Sequence, residues 1–230
     1  MDKLKLTAFV LLTLGIIFYG IVILFFLLSI SSLIILSIRR VDVIRVFLSA
    51  MLIGFLFEKL GLTTGFPFGH YAYHFPPYLL GVPVFVIFGW GIFSYISYLP
   101  VMDFPFKYRV LFFPILMVII DLSVDPIMVT AHYWTWISTY PNWYGIPLTN
   151  FLGWYLVSFI ISLTSIRTKE MKNSYIIFLI TYFLFSLKFL IFAKPQLIGP
   201  LSIATSLALL ISIIIFVFNR LIVKKGQQGQ

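Results

Sequence analysis

The sequence predicts an all-α fold: a polytopic membrane helical bundle of about seven transmembrane helices with an internal two-helix repeat. Three observations predict it. Of the 230 residues, 61% are hydrophobic and only 10% charged, against about 25% charged in an average soluble domain. Apolar runs recur from end to end, many near the roughly 20 residues that cross a bilayer as a helix. Two stretches, "GVPVFVIFGW" at 81–90 and "GIPLTNFLGW" at 145–154, share Gly, an aliphatic residue, Pro and a closing Gly-Trp at an offset of 64. Residues 1–230 therefore read as one integral membrane domain, with repeat units at about 42–99 and 109–166.

Hydropathy and punctuation predict helices at 6–37, 42–61, 79–99, 109–131, 146–166, 174–193 and 196–220. The basic start followed by an apolar stretch resembles a signal peptide. The run continues to Ile38 without a small-residue cleavage pattern, so it reads as a retained span. As one helix, 6–38 would be about 50 Å long, beyond a hydrocarbon core of roughly 30 Å; it must tilt, protrude or break near Ser29, Ser31 and Ser32. Sidedness follows from Lys and Arg, which collect on the cytoplasmic side. One end holds Arg39, Arg40, Arg45, Lys107, Arg109, Arg167, Lys169, Lys172, Arg220, Lys224 and Lys225; the other holds Lys3, Lys5, Lys59, Lys188 and Lys194. This predicts a multi-pass cell-membrane protein with a cytoplasmic C-terminus. The N-terminus lies outside if the first run crosses once and changes side if it crosses twice. Loops 62–78 and 132–145, which hold all three histidines and no Lys or Arg, face outward.

The repeat reads as a helix with a carboxylate near its outer end, an aromatic loop, and a second helix reached through Gly-x-Pro. Proline suits a helix start because its missing N–H would be unpaired there anyway. The glycine of Gly-Trp permits close helix contact and sets a large ring beside it. The offset carries Glu58 to position 122, between Asp121 and Asp125, and sites between membrane repeats are a recurring arrangement.

Chemistry narrows quickly. The absence of cysteine excludes disulfides, thiolate nucleophiles and iron–sulfur clusters. The net charge of +9 is scattered at span ends, which reads as topology and gives no nucleic-acid partner. Of seven carboxylates, Asp2, Asp42, Asp103 and Glu170 sit near basic residues at segment ends, whereas Glu58, Asp121 and Asp125 fit that pattern less easily. Intramembrane carboxylates mark function by default. Asp121 and Asp125, four apart, share one helical face, and a carboxyl in apolar surroundings is costly to ionise, the more so beside a second one. The pair is a candidate proton donor, or else a structural tie between helices or an ion pair with Arg109. Aromatic residues, 19% of the chain, could stabilise a carbocation by their π faces; Tyr71, Tyr73, Tyr133, Trp134, Trp136, Trp143 and Tyr144 gather in or beside the outward loops, where an interfacial belt is the plain alternative. His70, His74 and His132 would suffice for a metal, but the site is read as metal-free. "DLSVD" could hold Mg²⁺ against a diphosphate, yet the second acidic cluster that such chemistry needs is missing.

"TTGFPFGHYAY" (63–73), "GVPVFVIFGW", "DLSVDPIMV" (121–129) and "YGIPLTNFLGW" (144–154) together resemble the membrane carotenoid hydratases, among them the γ-carotene hydroxylating enzymes of bacteria and the bisanhydrobacterioruberin hydratases of haloarchaea. The resemblance covers roughly residues 50–165; the flanks match only as hydrophobic spans. It implies addition of water to the terminal double bond of an acyclic carotenoid held in the lipid bilayer, giving a tertiary alcohol with neither oxygen nor a redox cofactor. On this reading Asp121 or Asp125 is the general acid, Glu58 accepts the water proton, and Asn150 orients water or closes the pocket. Phe68, Tyr71, Tyr73, Trp90, Trp134, Tyr144 and Trp154 are the expected substrate contacts. The Lys/Ile-rich flanks, and histidine at 70 and 74, depart from the family pattern and leave open which carotenoid reacts; the oligomeric state also stays open. A carotenoid cyclase would use the same protonation and capture the cation with a ring alkene. A proton-coupled carrier is the non-enzymatic alternative, because a fold by itself never fixes function.

Overall fold

The computed structural model describes residues 3–228 apart from 19, 21, 138, 139 and 166–174. Asp2, Arg167, Lys169, Glu170 and Lys172, which entered the carboxylate and sidedness arguments, lie outside the described residues. Among those described there are eight α-helices: α1 (Lys3–Ile17), α2 (Val22–Ser37), α3 (Val41–Thr64), α4 (Val84–Tyr98), α5 (Phe106–Thr130), α6 (Leu148–Leu163), α7 (Tyr175–Ile191) and α8 (Ile198–Gln228). Helices α3 to α6 form the centre. Against it, α2 packs on α3 and α4, α7 on α4 and α5, and α8 on α5.

The first apolar run is two helices, and the break is not at the serines. The chain turns between Ile17 and Val22. Ser32 stays inside α2, where its hydroxyl bonds the Ala8 carbonyl (2.6 Å) and the Tyr95 hydroxyl (2.8 Å). A Cβ on Gly15 would touch Leu28 and Phe25, so α1 and α2 are antiparallel. Lys3 and Lys5 consequently come to the Arg39 and Arg40 end.

Loops 62–78 and 132–145 are not plain coil. Strand β1 (Tyr71–Tyr73) pairs antiparallel with β4 (Trp134–Trp136), Ala72 opposite Thr135. Each loop then closes in a two-residue hairpin: β2 (Tyr78–Leu79) with β3 (Val82–Pro83), and β5 (Asn142–Trp143) with β6 (Ile146–Pro147). The hairpin residues Leu80 and Gly81 have φ of 50° and 90°, and Tyr144 and Gly145 have 48° and 86°. Positive φ at both central positions is the type I′ turn that suits strand twist. The predicted helix starts at 79 and 146 are therefore too early. The glycine of Gly-x-Pro belongs to the turn, and Pro83 and Pro147 are the residues just before α4 and α6.

At the Arg-rich end, Arg40 is buried. It grips Asp42 with two bonds (2.9 and 2.7 Å), reaches Asp103 (2.5 Å), and Asp42 also accepts from Tyr98 (2.9 Å). Burial alone would lower the Arg40 pKa, but the two carboxylates outweigh it and push it up. Two helices, Phe106–Thr130 and Pro195–Leu221, are long and apolar enough to cross a membrane by length and composition. Leu48, Leu52 and Leu56 on α3, Leu152 on α6, and Leu209, Leu210 and Ile213 on α8 are exposed. A belt of this size suits lipid better than water.

Candidate active site

Spacing decides how the acids meet. Asp121 and Asp125 lie one turn apart on α5, and both face Asn150 in the first turn of α6. Asn150 Nδ2 donates to Asp121 Oδ2 (2.8 Å) and to Asp125 Oδ2 (2.5 Å). All three side chains are buried, and Asp121 Oδ1 has no hydrogen-bond partner. Pro126 lacks an N–H, so the Leu122 carbonyl, next to Asp121 in the chain, loses its helical donor. Arg109 sits three turns away on α5, donating to the Met102 carbonyl (3.3 Å) and Tyr98 hydroxyl (3.5 Å).

Glu58 has a different set of partners. Its Oε2 accepts from Tyr71 (2.5 Å) and Tyr73 (2.7 Å), and its Oε1 from Trp90 Nε1 (2.9 Å). The tyrosines reach it because β1 folds back over the C-terminal end of α3, paired there with β4. Burial first, and then the Glu58 carboxylate beside them, push both phenols above their ordinary value, so they remain donors.

Trp90 and Trp154, equivalent in the two repeats, stack at 4.3 Å with 23° between their planes. They border a cavity of about 250 Å³ that also takes in Glu58, Asp125, Asn150, Phe68, Tyr71, Tyr73 and Trp134. Asp121 does not line it; it reaches the cavity only through Asn150. Tyr144 is outside as well, half exposed in its turn with its hydroxyl over Gly199. His74 Nε2 bonds Thr135 Oγ1 (2.9 Å) and the His70 ring covers Gly65.

Sequence reasoning missed Phe25, Phe26, Phe85 and Phe93, which complete the wall. Two of these come from α2, a helix hidden inside what reads as one span. It also misassigned one glycine. The close approach of α3 and α4 runs through Gly54, where a Cβ would lie 2.4 Å from Trp90 Cγ, and Gly91, which faces Phe47 and Met51; a Cβ on Gly89 would meet only Phe93, at 3.7 Å.

A cavity with aromatic walls, one carboxyl pair bridged by an amide and a further carboxylate holding three donors can separate an acid from a base. A family model described as carotenoid biosynthesis protein matches residues 18–218. No curated protein and no solved structure matches the chain.

Proposed function

The chain belongs to the carotenoid biosynthesis protein family, and from that premise we propose that it adds water to the terminal double bond of an acyclic carotenoid. The observation that carries this reading is the unequal sharing of donors. Glu58 accepts three hydrogen bonds, from Tyr71, Tyr73 and Trp90, whereas Asp121 and Asp125 accept from the same Asn150 amide, Trp134 adds a donor to Asp125, and Asp121 keeps Oδ1 unpartnered. A carboxylate that accepts several donors is suited to act as base, and two buried carboxyls one turn apart that accept from the same amide are suited to hold a proton between them, which Asp125, the member on the cavity, can deliver.

Asp125, which lines the cavity, gives its proton to the less substituted alkene carbon. The O–H bond breaks, a C–H bond forms, and the positive charge falls on the tertiary carbon. The stacked Trp90 and Trp154 faces stabilise that cation. Water then forms the C–O bond and loses a proton to Glu58, and return of that proton to the aspartates completes the cycle. Asp121 acts on Asp125 through Asn150. The reaction changes no oxidation state overall, so the residues named are sufficient for it. The duplicated unit accounts for the arrangement: Glu58 and Asp121 are 63 residues apart, the same offset that relates β1 to β4.

We place the protein in the cell membrane as a multi-pass bundle with the Arg40, Arg109 and C-terminal end in the cytoplasm. With α1 and α2 as separate helices, the N-terminus lies on that side too. The test is mass spectrometry of pigments from a lycopene-accumulating host expressing this chain, Asp121→Asn or Asp125→Asn. The expected result is a product heavier by one water. It should fall about 100-fold or more in Asp125→Asn, the size of a lost general acid, and clearly in Asp121→Asn, at equal protein level. An isomer of unchanged mass would replace hydration by cyclisation.

A further inference from the structure

The cavity is too small for the whole of the substrate proposed above, and on that reading its shape dictates how the substrate lies. About 250 Å³ is below the roughly 300–1,000 Å³ of pockets that enclose drug-sized ligands. A carotenoid is far larger than those ligands. Only one end of it fits, and the rest of the polyene must leave through an opening.

Comparing the two repeats locates that opening. Gly89 and Gly153 hold equivalent positions, each one residue before a stacked tryptophan. A Cβ on Gly153 would stand 2.6 Å from Phe68 Cδ1 and 3.0 Å from the Pro67 carbonyl oxygen, so the 66–68 turn of the first unit plugs the space over it. A Cβ on Gly89 would meet only Phe93, at 3.7 Å. The second unit offers a shorter turn at that place, because α5 runs on to Thr130 and only residues 131–133 lead to β4, against 65–70 between α3 and β1. Gly89 lines the cavity, and so do Phe26, Phe85, Val86 and Phe93, all partly exposed, whereas Trp90, Trp154 and Asp125 at the inner end are buried.

The geometry points to a lateral portal between α2 and α4, floored by Gly89, through which one acyclic end group passes from the bilayer to Asp125 while the remaining polyene stays in lipid. Gly89 is then the residue that sets access, and its lack of a side chain does for the substrate what Phe68 denies on the Gly153 side. Each visit processes one end. The far end is not inspected, so a carotenoid with one acyclic and one already modified end is accepted as readily as one with two acyclic ends.

The test uses the full chain purified in detergent and titrated with lycopene, whose polyene quenches tryptophan emission when bound beside Trp90 and Trp154. Gly89→Phe and Val86→Phe, both monodisperse on gel filtration, should shift the quenching midpoint at least tenfold to higher concentration, with Gly89→Ala causing a smaller shift. Leu152→Phe, on the outer face of α6, should leave it unchanged. Wild-type quenching in both Gly89→Phe and Val86→Phe, or an equal shift in Leu152→Phe, would overturn the portal. Binding is read here without turnover. A chain that binds through Gly89 but forms no hydrated pigment fails as a hydratase and keeps its portal. One that hydrates equally well with Phe at 89 keeps its chemistry and loses the portal.

Discussion

Tyr71 and Tyr73 turn Glu58 from a liability into a site. A carboxylate buried without donors is expensive, and each of the three bonds it accepts offsets part of that cost. Removing one donor, as in Tyr71→Phe, should lower thermal stability in detergent by about 1–3 kcal/mol and cut pigment conversion more than tenfold. The phenols also give a pH signature. Their folded pKa values are raised, so the fold favours the protonated form; that contribution is complete below the ordinary phenol value of 10.0 and is lost as pH climbs beyond it. Melting curves between pH 8 and about 11 should show a decline above 10 that Tyr71→Phe and Tyr73→Phe flatten; an equal decline in all three would refute it. The i, i+4 spacing of Asp121 and Asp125 made their shared face legible in the sequence, and the two residues do converge on Asn150. The tyrosines were legible only as aromatic neighbours. Their pairing with Glu58 depends on β1 meeting a strand 63 residues away, and no local pattern encodes that. Tyr144 misled because an aromatic in a loop looks the same whether it faces a cavity or takes φ of 48° in a turn.

At the scale of elements, the α3–α4 crossing positions the indoles. Gly54 leaves room for the Trp90 ring, and the ring in turn bonds Glu58 and stacks on Trp154. Adding one methyl there, in Gly54→Ala, forces the indole aside; overpacking of this kind costs typically 1–3 kcal/mol. The near-ultraviolet circular dichroism of the stacked pair should weaken along with conversion. Retention of both would mean that the helices separate without disturbing the ring. Helices α3, α5, α6, α7 and α8 were legible to within a few residues at most described ends, because long apolar runs bounded by Pro, Gly and charge leave few alternatives. The exceptions share a cause. Hydropathy records how apolar a segment is and is blind to its direction, so it could not divide α1 from α2 inside one uncharged run. Nor could it separate the I′ hairpins from the helices that follow them.

For the molecule as a whole, the natural lack of cysteine makes topology directly measurable. Lys3→Cys and Arg39→Cys should resist an impermeant maleimide in intact cells while Thr63→Cys reacts; labelling of Lys3→Cys with Thr63→Cys would return the first run to a single crossing. The all-helical character of the fold was visible from composition and hydropathy. The portal was not, since it depends on α2 lying against α4 and on the two repeats differing at one turn. The strand pair that joins those repeats has a further consequence, in time instead of space. Tyr71–Tyr73 leaves the ribosome 63 residues before Trp134–Trp136, an interval of about 3–13 s at typical synthesis rates. Until then β1 is an unpaired edge, the feature most prone to wrong pairing, and two of the three donors to Glu58, Tyr71 and Tyr73, are not yet held in place. The half of the chain that brings the aspartates is therefore also what completes the first half, so a nascent chain stalled between 74 and 133 presents an adhesive strand and a Glu58 carboxyl whose tyrosine donors are still loose.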